Sequence, residues 1–155
     1  MALRKISQNE LNEILRLHKQ WLRGHNDGVK ANLRHADLRG VTILRTDLRH
    51  ADLRGANLQG AILEGAILEG ADLRSVDLRE ADLREADLQN VNLQNANLQN
   101  ANFCFTDLEK ADLRGVQLNQ VMPDSCWIEG SKWLQFDLPW WLGHPQQDQI
   151  ILCDE

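Results

Sequence analysis

From residue 31 to residue 120 the chain divides without a gap into eighteen five-residue units of the form Ala-Asp/Asn-Leu-X-X. The first position is Ala in twelve units, Val at 41, 76, 91 and 116, and Thr at 46 and 106. The third is Leu except at Ile43 and Phe103, and the second is Asp nine times and Asn five. A period of five fits no face of an α-helix. Apolar first and third positions alternate with polar second and fourth positions, which is the period-two signature of a half-buried strand. Gly, Asn, Ser or a charged residue at the fifth position then lets the chain turn. Short strands at constant spacing predict a coil wound around its own Leu and Ala side chains. That is an all-β solenoid, with successive coils hydrogen-bonded at ~4.8 Å.

Residues 51–60, Ala-Asp-Leu-Arg-Gly-Ala-Asn-Leu-Gln-Gly, and their neighbours resemble the pentapeptide repeat family, and the match covers 90 of 155 residues. The resemblance implies a right-handed quadrilateral β-helix with four pentapeptides per coil and the first and third positions pointing inward. Residues 20 apart would then stack in columns, and 18 units would make 4.5 coils. At the spacing of paired strands such a rod is about 20 Å long.

An open solenoid exposes unpaired strand edges, so its ends need covers. Ser7 followed by Glu10 is a capping-box pattern, with Ile6 and Leu11 as a hydrophobic staple. Leu11, Ile14, Leu15, His18, Trp21 and Leu22 follow at helical spacing, and Gly24 is a stop signal. Residues 1–30 are therefore expected to form an N-terminal capping α-helix over the first coil, a partner-binding or membrane-surface helix being the alternative. Residues 31–120 form the rod, and residues 121–155 a last partial coil and a Trp-rich C-terminal cap. Trp127, Trp133, Phe136, Trp140 and Trp141 make up that cap. The five-residue phase persists there, with Ile128, Trp133 and Leu138 on inward positions, while Pro123, Pro139 and Pro145 interrupt it. The aromatic cluster is expected to plug the last coil; a dimer interface is the alternative, so a monomer is favoured over a dimer through this end.

Composition sharpens this division. Hydrophobic residues make up 43% of the chain but aromatics only 5%, and Tyr is absent. Six of the eight aromatics lie outside the repeats, so the ring-poor composition belongs to the bore. The net charge of −6 argues against a binder of nucleic-acid phosphates, and no direct nucleic-acid binding is expected. It resolves into +3 over residues 1–30, −4 over 31–120 and −5 over 121–155.

Some members of the resembled family mimic duplex DNA and act on DNA gyrase, which demands a strongly acidic face. With four units per coil, the face beginning at Ala31 instead carries Arg34, Arg54, Arg74 and Arg114 against Asp52, Asp72 and Asp112. That pattern predicts a charged ladder that neutralises itself, and the most acidic face, beginning at Thr46, reaches only −3. A DNA-mimicking modulator of gyrase is therefore the alternative reading.

Catalysis requires convergent groups in a pocket, and no Ser/His/Asp set, phosphate loop or HExxH pattern occurs. The five His lack metal-ligand spacing, and Cys104, Cys126 and Cys153 suggest neither a zinc site nor a disulfide framework. A single Cys126–Cys153 bridge is conceivable, but reduced thiols are expected. No enzyme, cofactor or metal is expected. Residues 1–7 lack the apolar stretch of a signal peptide and no apolar run is long enough to span a bilayer, so a cytoplasmic protein without a membrane partner is expected.

A few outer positions break the polar pattern. Ile62 and Ile67 take the second position, while Leu44, Cys104 and Phe105 take normally polar outer ones. Leu44, Ile62, Cys104 and Phe105 share one face. Leu44, Ile62, Ile67, Cys104 and Phe105 read as a candidate docking patch for an unidentified protein partner, the alternative being that Ile150, Ile151 and Leu152 fold back over part of it; the tail is favoured for Phe105 and a partner for Leu44 and Ile62. The expected function is a non-enzymatic interaction scaffold that recognises its partner through an outer face.

Overall fold

A turn closes every five residues: the N–H of Ala36 donates to the Leu33 carbonyl at 3.1 Å, that of Ala51 to Leu48 at 3.0 Å, and so on along the chain. The computed structural model describes residues 2–118, 126–127, 131–134 and 151–153. Every fifth-position residue from His35 to Gly115 has a positive φ, as at Gly60 (64°) and Glu80 (60°). This left-handed residue bends the chain through a corner after each short strand. Asn90, Asn95 and Asn100 tolerate it best among the non-glycine residues there.

Successive coils are parallel and in register at a spacing of 20 residues: Asn32 pairs with Asp52, Asp52 with Asp72, Asp72 with Asn92 and Asn92 with Asp112. The three other columns repeat this, so four units make one coil. Between coils the N–H of Leu33 donates to Asp52 at 2.7 Å, that of His35 to Arg54 at 2.9 Å, and that of Asp52 back to Ala31 at 3.0 Å. Both outward-facing polar edges of each coil are thereby consumed by the next coil.

Inside, Leu33, Leu53, Leu73, Leu93 and Leu113 stack in one column, each at most 1% exposed, and the first-position residues pack beside them. Identical branched aliphatics fill a narrow bore in layers, which removes the need for rings. Phe103 takes one Leu position at 5% exposure. Thr106 takes an Ala position, fully buried, and its hydroxyl donates to the Leu83 carbonyl at 2.7 Å. A buried hydroxyl so paired avoids the desolvation penalty of an orphan.

The N-terminal segment begins with a short strand, β1 (Arg4–Lys5), that the sequence pattern does not signal. It extends the ladder one layer below β2 (Ala36–Asp37), pairing in parallel, with the Arg4 N–H donating to His35 at 2.6 Å. The helix α1 (Gln8–Leu22) follows. Ser7 accepts the Glu10 N–H on its side chain, Arg23 is the C-cap, and Gly24 turns away at φ +74°, as expected from the capping pattern. Leu11 joins the core, with Ile6, Ile14 and Leu15 packed against it. His18 is fully buried, and its Nδ1 accepts the Ala31 N–H at 3.1 Å. In later units that N–H goes to the preceding turn; Ala31 has none before it, and His18 stands in.

At the other end the 20-residue register persists, with Trp127 bridged to Asp107 and Lys132 to Asp112. Ser131 is fully buried in the first position above Ala111. Strand β3 (Lys132–Leu134) pairs in parallel with β4 (Ile151–Cys153), Lys132 opposite Ile151 and Leu134 opposite Cys153. This corrects the expectation that the tail covers Phe105. The tail adds a layer to the face that begins at Ala31, where the backbone edge of β3 needs a partner. Phe105 stays 56% exposed. Trp127 likewise stands on the outer side of its coil, 58% exposed, and so does not plug the bore. Phe136, Trp140 and Trp141 lie outside the described residues.

Candidate functional site

The outer surface is built from a clasp repeated in most units. The second-position Asp or Asn accepts, on its side-chain oxygen, the N–H of the fourth residue: Asp72 from Arg74 at 3.3 Å, Asn57 from Gln59 at 3.0 Å, Asp87 from Gln89 at 3.0 Å. This Asx turn explains why the second position is Asp or Asn rather than any polar residue. Where the fourth residue is Arg, its guanidinium returns to the same carboxylate through two bonds. Arg74 reaches Asp72 at 2.8 and 2.7 Å, Arg79 reaches Asp77 at 2.9 and 2.7 Å, and Arg114 reaches Asp112 at 2.8 and 2.5 Å. Such planar bidentate pairing is what arginine offers over lysine.

The clasps neutralise the face in the way the charged ladder predicts, mainly within units. The arginine contacts between coils on this face are longer, Arg54 to Asp72 at 3.5 Å and Arg34 to Asp52 at 3.9 Å, while the Gln94 amide donates across to Asp112 at 2.9 Å. The Arg54 guanidinium holds the Asp52 carboxyl below the usual carboxylate range. At Asp72, burial pushes the carboxyl up, but the bonds from Arg74 outweigh it and the net shift is down. These carboxylates are stabilised as anions and poorly suited to accept a proton in catalysis. Among the described residues no group of His, Cys, Asp and Glu converges as a metal site would require, and no helix is long and apolar enough to cross a membrane.

The apolar positions do share one face, as their 20-residue spacing requires, but they do not form one patch. Leu44 is 47% exposed, Ile62 39% and Phe105 56%. Between the lower pair and the upper one lies the unit at 81–85, where Arg84 bonds Asp82 at 2.7 Å and reaches down to Glu64 at 2.9 Å. The patch therefore splits into Leu44 with Ile62 and, two coils higher than Ile62, Cys104 with Phe105. Ile67 falls on the neighbouring face, bridged to Asp47 and Asp87, and is half-buried. Neither Ile62 nor Ile67 can make the Asx turn, so each forgoes a hydrogen bond that most units possess.

Among the described residues Cys104 and Cys126 are free thiols. Cys126 occupies the first position one coil above Thr106 and repeats its bonding, with Sγ donating to the Phe103 carbonyl at 2.8 Å. Burial pushes its thiol up to about 12, which keeps it protonated and unreactive.

The family model for pentapeptide repeats matches residues 29–55, 51–90 and 86–121, in eight copies. The chain belongs to the pentapeptide repeat family. Among solved pentapeptide repeat structures it is similar to HetL of Nostoc sp. strain PCC 7120, a protein involved in heterocyst differentiation regulation. The TM-score is 0.52 at 28% identity, over 66% of this chain and 53% of HetL, so the chain spans about half of HetL's length. It is also similar to alr5209 of Nostoc PCC 7120, at 36% identity over 67% of this chain and 93% of that one, with a TM-score of 0.46. A fainter likeness is to QnrB1, a plasmid-mediated fluoroquinolone resistance protein, at 17% identity and a TM-score of 0.43, over 80% of this chain and 76% of that one. No curated protein matches the chain. Pentapeptide repeat proteins are generally structural or interaction scaffolds.

Proposed function

We propose that this chain is a rigid, non-enzymatic scaffold that binds a protein partner through the face carrying Leu44 and Ile62. The rod is right-handed, residues 1–30 close its lower end, and the segment 121–155 completes and closes its upper end. The observation that carries the reading is the pair Leu44 and Ile62, 47% and 39% exposed on a face where Arg84, Asp82 and Glu64 are paired with one another. Burying two such side chains against a partner is favourable by about 25 cal/mol per Å² of apolar surface. Ile62 also displaces the Asx turn of its unit, so the residue serves something other than its own coil.

The test is an affinity comparison from native lysate between the wild-type chain and Leu44→Glu with Ile62→Glu. A partner held by the wild type and by the control Arg74→Gln, but lost from the double variant, supports the reading. Retention of every partner by the double variant overturns it.

The DNA-mimicking reading is the weaker one, because seven of the rod's aspartates are bidentately occupied by arginine among the described residues. Duplex DNA presents a free charge about every 1.7 Å along its axis. Inhibition or protection of gyrase in a supercoiling assay with the purified chain would reverse the ranking.

A further inference from the structure

A groove of about 550 Å³ separates α1 from the 45–49 stretch of the first coil. Its walls bring cations together from two elements: Lys19 and Arg23 from the helix and Arg45 from the coil. Arg16 and Arg49 also line it, but each is occupied, Arg16 by Glu13 at 2.7 Å and Arg49 by Asp47 at 2.7 Å. Asp47 is the sole carboxylate among the lining residues. More distant acids act on the two occupied arginines, Asp27 on Arg16 and Glu69 and Asp87 on Arg49. No ion pair among the described residues engages Lys19, Arg23 or Arg45.

Lys19 and Arg23 have a local reason to be where they are, since cations suit the end of a helix. Arg45 occupies a corner at φ +47°, as other non-glycine residues do along the rod, and its stem lies over Gly65 as His35 lies over Gly55. That packing needs no charge, yet the guanidinium adds a third cation without an ion pair to the groove. Three such cations from two elements suit an anion that the groove receives.

The rest of the lining narrows the guest. Leu15 and Leu22, seven residues apart on α1, give the groove an apolar floor. No aromatic ring lines it, so a nucleobase would find nothing to stack on. The volume lies in the range of clefts that enclose a small ligand or a few residues of chain. Leu44, 47% exposed, directly precedes Arg45, so a segment leaving the groove meets the apolar face at once. We propose that the groove binds a short acidic segment of another protein in which Asp or Glu alternates with apolar residues. Lys19, Arg23 and Arg45 take the carboxylates, and Leu15 and Leu22 take the apolar side chains. This does not depend on the reading of the Leu44 and Ile62 face.

The probe is a pool of fluorescein-labelled decapeptides in which Asp or Glu alternates with Leu, Ile, Val or Phe. Fluorescence anisotropy with the full chain is expected to show saturable binding at about 50 mM NaCl, weakened at least roughly ten-fold at about 500 mM. A matching pool with Lys in place of the acids is expected not to bind. Arg45→Asn, which keeps the corner conformation, and Lys19→Glu, on the exposed side of the helix, are each expected to weaken binding roughly ten-fold. Arg74→Gln on another face is expected to leave it unchanged, and circular dichroism checks that every variant is folded. Failure of the acidic pool to bind, or undiminished binding in both groove variants, overturns the proposal. Displacement of the peptides by an equal concentration of adenosine triphosphate also overturns it, in favour of a small-anion site.

Discussion

The imidazole of His35 lies over Gly55 so closely that a Cβ on Gly55 would stand 2.5 Å from Nδ1 and 2.7 Å from Cε1. The same relation joins His50 to Gly70 and Arg45 to Gly65: a long side chain at one corner covers a glycine at the corner one coil above. Two effects oppose Gly55→Ala, the contact with the ring and the φ of +62°. The ring can swing away about its χ angles, whereas the corner cannot change φ without breaking the ladder. The backbone term therefore dominates, at about 1–2 kcal/mol. Gly55→Ala is expected to lower stability by about that amount in urea titrations, with His35→Ala in the same chain restoring only a minor part. Full restoration would show that the contact matters more than the backbone.

Non-glycine corners carry the same strain in the resting protein. Glu80 sits at φ +60° and Glu85 at φ +58°, where Asn is better accommodated. Glu80→Asn is expected to raise the midpoint of thermal unfolding, and Glu80→Val to lower it through a loss of more than about 1 kcal/mol of stability, since a β-branched residue resists this region most. Equal melting of the two variants would contradict the corner geometry.

The Asx turn and the arginine clasp can be separated at Asp72. Asp72→Asn keeps the oxygen that accepts the Arg74 N–H but removes the charge; Asp72→Ala removes both. The pair is part-exposed, with 30% and 42% of the side chains accessible, so its ionic contribution is expected to be below about 1 kcal/mol. Loss of the turn bond leaves a backbone N–H to find water instead, and adds about 1 kcal/mol. Asp72→Ala is therefore expected to be clearly the more damaging of the two in chemical denaturation. A loss from Asp72→Asn as large as that from Asp72→Ala would assign the stabilisation to the charge.

Ile62 provides the converse case. Asn at this position restores the turn bond to the Glu64 N–H that most units possess, and removes an apolar side chain that is 39% exposed. Ile62→Asn is expected to stabilise the chain by about 0.5–1 kcal/mol while weakening the partner interaction proposed for this face. A destabilised variant would show that Ile62 serves the coil, and the docking reading would lose its main support.

The rod was legible because its rule is strictly local. Apolar first and third residues, an Asx-turn former between them and a corner residue in fifth place recur without a gap, so each unit repeats the instruction of the last. The number of units per coil is not local: it came from the family resemblance, and the pairing of Asn32 with Asp52 bears it out. The helix was legible from Ser7, Glu10 and Gly24, but β1 was not, because Arg4 and Lys5 become a strand only when the exposed edge of Ala36 and Asp37 recruits them. The tail failed for the same reason. Ile151 and Leu152 read as apolar residues seeking the exposed Phe105, whereas unpaired backbone on β3 drew them instead. The division of the apolar face could have been read from Asp82 and Arg84, which share the 20-residue column with Ile62. The groove beside α1 depends on how a helix lies against a coil, and no periodicity carries that.

His18 makes acid sensitivity a test of how the lower end is held. Its Nδ1 accepts the Ala31 N–H, which leaves the proton on Nε2, so the buried ring is neutral. Burial lowers its affinity for a proton below the usual value of 6.5; Asp47 and the Arg49 backbone pull the other way, and Lys30 and His50 reinforce the shift. The unfolded chain thus takes up a proton near pH 6.5 that the folded chain refuses. Stability is present in full above that pH and falls as pH drops through the lowered folded value, by at most about 1.4 kcal/mol per pH unit. The aspartates act lower still: carboxyls such as Asp52 and Asp77, held below 3.8 by their arginines, contribute stability that is lost only as pH falls beneath that value. Two separate acid transitions follow. Trp21, stacked on His18 at 5.5 Å, reports the first by its fluorescence. His18→Asn retains an oxygen for the Ala31 N–H but does not titrate, so it is expected to lower stability at neutral pH and to flatten the dependence in the window just below pH 6.5. If the variant keeps the wild-type slope across that window, His18 does not hold the lower end in the way its bond to Ala31 indicates.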